Sequence, residues 1–112
     1  MSTAVPEVDV TRALALLAGS DARLLDVRED DEWAAGHASI ARHMRLGDLD
    51  PRQFTESGTV VVTCRSGNRS RTAAAALVDA GVDAVNLDGG MLAWARAGQP
   101  LVRDDGMPGT VA

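Results

Sequence analysis

Apolar positions along this chain fall into two kinds of run. RLLDV (23–27), TVVVT (59–63) and AVNL (84–87) are continuous and largely β-branched or aliphatic, which predicts strands covered on both faces. Between them lie stretches with helical spacing. TRALALLAG (11–19) has Gly19 past its end, DDEWAAG (30–36) opens on acidic residues and closes at Gly36, RSRTAAAALVDA (69–80) stops before Gly81, and GGMLAWARAG (89–98) ends at Gly98. Two weaker strands are expected at EVDV (7–10) and IARHM (40–44), and Asp48 is expected to cap a brief helix through Arg52. Strands alternating with helices predict an α/β fold: a central parallel sheet of about five strands with helices on both faces. The tail from Gln99 to Ala112 is expected to be loosely held.

At 112 residues the chain is expected to form one domain, 1–112, large enough for a core but not for two. No apolar run approaches the ~20 residues of a membrane span. The opening MSTAVPEVDV lacks the basic stretch and apolar core of a secretory signal, so a soluble, cytoplasmic protein is expected, with no membrane partner. The net charge is −5, the aromatics are one Phe and two Trp, and there is no basic run, which argues against nucleic-acid binding. All eleven basic residues are Arg. Against this acidic background Arg65, Arg69 and Arg71 form a local cationic spot suited to a small anion.

The single cysteine, Cys64, excludes an internal disulfide and a cysteine-rich metal site. It stands at the carboxyl end of the predicted strand 59–63, where open parallel sheets bind ligands. The next residues, Arg65 to Arg69, lead into a helix whose first N–H groups lack internal partners and favour an anion, here a thiolate. Gly67 permits a positive φ, so that successive N–H groups can point inward as a nest. Ser66, Gly67 and Ser70 leave room for a substrate, and the arginines offer bidentate donors to an oxyanion. By residue type alone Cys64 would be a buried core residue. Its strand-end position among a glycine, two arginines and two serines favours a reactive thiol.

Three blocks in order, LLDVREDDEWAAGHASIARHMRL, VVTCRSGNRSRTAAAAL and VNLDGGMLAWARAGQPL, resemble the single-domain rhodanese sulfurtransferases. The resemblance runs from about Val8 to Leu101 and rests on D-V-R…E-W-x-x-G-H, C-R-S-G-N-R-S and G-G-x-x-x-W. It implies a single rhodanese-like domain with Cys64 as the sulfur-carrying nucleophile, cradled by the amides of Arg65, Ser66, Gly67, Asn68 and Arg69. A small sulfur-containing anion such as thiosulfate would donate its outer sulfur to give a persulfide. A thiophilic acceptor, cyanide in the assay or a cellular thiol or protein, would then remove it, and no cofactor is required. Asp26 and Arg28, with Ser70, are expected to brace the loop. His37 belongs to a structural G-H signature rather than acting as a general base. His43 has no partner spacing for a metal, and REDDE (28–32) is read as a charged helix start. Gly89 and Gly90 are expected to turn the chain into the last helix. The segment ASIARHMRL departs from the I-P-G-A-x-N-I-P-like run common in the family. The family also resembles protein phosphatases and certain arsenate reductases that use the same cysteine position; a phosphatase loop places five residues between Cys and Arg, whereas four separate Cys64 from Arg69, which suits a bare sulfur better than a phosphate. The leading alternative is a persulfide carrier or regulatory module that delivers sulfur to one partner protein, with an arsenate-reductase- or phosphatase-like activity ranked below it.

Overall fold

The three valines of the central strand face two cores in alternation, and this fixes the architecture. The computed structural model describes residues 4–19 and 21–112. Its sheet contains β1 (Glu7–Val8), β2 (Arg23–Asp26), β3 (Arg42–His43), β4 (Val60–Thr63) and β5 (Ala84–Leu87), in the order β1-β5-β4-β2-β3. Every pairing is parallel. On β4, Val60 and Val62 pack with Leu25, Phe54, Ala73, Ala74 and Leu77, while Val61 packs with Leu24, Ala13, Met91 and Trp94. Strand residues alternate between faces, so a run without polar positions requires a cover on each side. Helix α3 (Asn68–Asp79) supplies one cover; α1 (Val10–Leu17) and α4 (Gly90–Arg96) supply the other. The short α2 (Asp30–Ala35) follows β2. Among the described residues no helix is long and apolar enough to cross a membrane.

Four local expectations change. The opening strand ends at Val8, because the Asp9 carboxylate accepts the Arg12 N–H at 2.8 Å and starts α1 with Val10 inside the helix. No helix runs from Asp48 to Arg52. Two 3₁₀ turns, Leu46–Asp48 and Pro51–Phe54, stand there instead, and the second is capped by Asp50, whose carboxylate accepts the Arg52 N–H at 3.1 Å. Leu49 already leaves the first turn extended, and Pro51 holds Asp50 extended ahead of the second. The IARHM strand shrinks to Arg42 and His43, the two residues that pair with β2, and Ile40 is 61% exposed. The tail expected to be loose is tied down: Val102 bridges His37, Gly109 N–H donates to Leu101 O, and Thr110 N–H donates to Ala35 O. Gly36 makes this possible, since a Cβ there would collide with the Thr110 backbone.

Candidate active site

Cys64 immediately follows β4, between β2 and β5, with its side chain buried. The chain turns at Gly67, whose φ of 106° lies in the left-handed region, and α3 starts at the next residue. This turn directs the Gly67 N–H at the Cys64 Sγ, 3.1 Å away, and the first turn of α3 brings the Ser70 Oγ to 3.3 Å. The loop is held from below by α4. The N–H of Met91 donates to Cys64 O at 2.8 Å and that of Leu92 to Arg65 O at 3.1 Å. A Cβ on Gly90 would collide with those two carbonyls, which is the local reason for the second glycine of the pair. With the carbonyls engaged by α4, the amide hydrogens are left for the sulfur.

Burial pushes the Cys64 thiol up, but the Ser70 hydroxyl and the N–H groups of Ser70, Gly67 and Ser66 favour the anion more strongly. The net direction is down. The thiolate is thus stabilised by backbone and hydroxyl donors, while the arginine side chains are engaged elsewhere. Arg69 forks onto Glu32, at 2.6 and 2.8 Å. The Arg65 Nε donates to Ala112 O at 3.0 Å, and Arg71 pairs with Glu7 at 2.9 Å. The Asn68 side chain accepts from Arg71 at 3.2 Å.

Asp26 and Arg28 are fully buried and bidentate, with Arg28 Nε 3.0 Å from both carboxylate oxygens and Nη2 at 2.8 Å. Arg28 also donates to the carbonyls of Glu32 (3.3 Å) and Gly36 (2.8 Å). The pair thus fixes α2, and Glu32 on α2 holds Arg69 of the active loop. His37 lies outside this set: its Nδ1 is 2.8 Å from Trp33 O and its ring stacks on Trp33 at 3.7 Å.

Glu32 and Asn86 are the site residues that the sequence pattern did not expose. Glu32 was absorbed into an acidic helix start, and its Oε1 does accept the Glu29 N–H at 3.1 Å. Its second role, on Arg69, depends on tertiary structure. The signal for Asn86 was a lone amide in an apolar strand, AVNL, whose four positions are all buried.

Arg69, foremost by hydrogen bonding, holds the Glu32 carboxyl well below its ordinary 4.5, at about 2. A depressed carboxylate pKa adds stability that is complete above the unfolded value and is lost as pH falls through the folded one. Glu32→Gln is therefore expected to cost about 1–2 kcal/mol at neutral pH, with the gap to the wild type closing between pH 4.5 and about 2. Urea unfolding at stepped pH reads this directly. A gap independent of pH would place the stabilisation elsewhere.

Residues 9–97 match the Rhodanese-like domain family. The thiosulfate sulfurtransferase GlpE of Vibrio cholerae is 35% identical over 99 residues, covering 84% of this chain and 92% of that one. An uncharacterized protein of Synechocystis is 41% identical over 88 residues, 76% of this chain, but the match spans only about half (49%) of that protein's length. Among solved structures, a thiosulfate sulfurtransferase of Pseudomonas aeruginosa superposes with a TM-score of 0.77 at 29% identity, over 92% of this chain and 20% of that one.

Proposed function

The chain belongs to the Rhodanese-like domain family, and from that membership we propose that it moves a sulfane sulfur from thiosulfate or a related donor, through a persulfide on Cys64, to a thiophilic acceptor. The observation that carries the reading is the Cys64 sulfur at the end of β4, facing the Gly67 N–H and the Ser70 hydroxyl. In the first step the thiolate attacks the outer sulfur of thiosulfate. A Cys64 S–S bond forms, the bond to the sulfonate sulfur breaks, and sulfite leaves with the electron pair. In the second step the acceptor's nucleophile takes the terminal sulfur, and the Cys64 thiolate departs with the electrons of the broken S–S bond. Charge remains within the cradle throughout, first on Sγ and then on the terminal sulfur, so the same N–H groups serve both forms. With no second cysteine in the chain, the acceptor comes from outside it.

Initial-velocity measurements with thiosulfate and cyanide are expected to give parallel double-reciprocal lines, the pattern of a two-step exchange through a covalent intermediate. Intersecting lines would indicate direct transfer in a ternary complex.

One observation favours a carrier role beside free turnover: the Arg69 guanidinium is engaged by Glu32 rather than open to a dianion. A carrier is loaded by a desulfurase yet turns over poorly with small acceptors, whereas a free-standing enzyme accepts both.

A further inference from the structure

Asn86 is fully buried on β5, beside the active loop rather than in it. Its Nδ2 donates to the Glu7 carboxylate, at 3.0 and 3.2 Å, and to the Gly67 carbonyl at 3.0 Å. Both partners can only accept, so the amide cannot be reversed and its Oδ1 must face Ser70. The Ser70 Oγ lies 2.5 Å from that oxygen and 3.3 Å from the Cys64 Sγ. A hydroxyl has one hydrogen. Oδ1 has none to give, so the short contact is made by the Ser70 hydrogen, and the sulfur then meets a serine lone pair.

We propose that Asn86 is a positioning residue for the sulfur chemistry: it competes with the Cys64 sulfur for the single hydroxyl hydrogen of Ser70 and so limits how readily that sulfur is held as an anion. This rests on the reading of Cys64 as the reacting sulfur. In the thiol form, S–H donates to Ser70 Oγ and Ser70 donates to Asn86. When the thiol proton leaves to solvent, the hydroxyl must turn from Asn86 to stabilise the thiolate, leaving a buried amide oxygen unpaired. When Sγ becomes part of a persulfide it loses its charge, and the hydroxyl hydrogen returns to Asn86. The amide thus favours the loaded state over the free thiolate.

Most charged groups around this relay are already paired. Glu7 on β1 is held by Arg71 of α3, Arg69 of α3 is held by Glu32 of α2, and Arg65 of the loop donates to Ala112 O. Asp26 on β2, in register with Thr63, is neutralised by Arg28, and Asp88 follows β5 near Arg71. None of these groups supplies a hydrogen to the Asn86 oxygen in place of Ser70.

The test is the pH midpoint of Cys64 alkylation by iodoacetamide, which needs no sulfur transfer and so stands apart from the test of the proposed activity. Asn86→Ala is expected to lower the midpoint by about one unit, roughly tenfold more thiolate at a pH below both midpoints. The same substitution in a Ser70→Ala background is expected to leave the midpoint unchanged. Asn86→Val, which keeps a strand-forming side chain and also lacks an acceptor, gives the same readout if the alanine variant does not fold. An unchanged or raised midpoint in the single variant would overturn the proposal. So would an equal shift with and without Ser70, which would mean that Asn86 acts only through the backbone.

Discussion

Cys64→Ser is expected to reduce thiosulfate:cyanide sulfur transfer by more than about 10³-fold, to the uncatalysed background, while leaving the fold intact. Serine is nearly isosteric with cysteine, and its oxygen can occupy the site of Sγ, accepting the Gly67 N–H that now reaches the sulfur at 3.1 Å. What it lacks is a low-lying thiolate and the ability to carry a second sulfur. No other cysteine exists in the chain to replace it. The urea midpoint is expected to move little, and the pair of measurements separates chemistry from folding. A serine variant with substantial turnover would remove the covalent mechanism.

The second large effect is on stability. Arg28→Met leaves Asp26 buried and charged with no cation, and also strips the donors from the carbonyls of Glu32 and Gly36. Removing one partner of a buried pair costs about 3–5 kcal/mol, far more than losing a surface pair. For a domain of this size that corresponds to a fall in Tm of more than about 10 °C. Asp26→Leu combined with Arg28→Met is expected to cost less than Arg28→Met alone, because no orphaned charge remains. Sulfur transfer by the single variant should suffer even where it is folded, since Arg28 fixes α2, and α2 presents Glu32 to Arg69 of the loop. A loss below about 1 kcal/mol would show that Asp26 is stabilised by other groups.

The sheet was legible because its central strand carries an unbroken β-branched run, and only a two-sided sheet core accommodates one. The placement of the cysteine was legible for a similar reason: a strand, a thiol, a glycine and a helix start in that order leave few geometries. The edges were less so. Whether Val10 extends β1 or opens α1 is settled by the Asp9 side chain bonding to Arg12, a choice that EVDV alone leaves open. The tail reads as loose because its composition is turn-like, yet Gly36, far away in sequence, lets residues 109 and 110 lie against the end of α2. The loop arginines show the same limit within the site. Their charge was visible, but the partners that occupy it, Glu32 from α2 and Ala112 from the tail, come from elsewhere in the chain. The stabilisation of the sulfur falls to Ser70 and to the backbone groups that the helix start and Gly67 made legible.

The most direct measurement is the intact mass of the protein after incubation with thiosulfate and removal of excess donor. A mass increase of one sulfur atom is expected, located on Cys64 by fragmentation, lost on adding cyanide and absent from Cys64→Ser. An unmodified mass in a protein that still transfers sulfur from thiosulfate to cyanide would contradict the persulfide on Cys64.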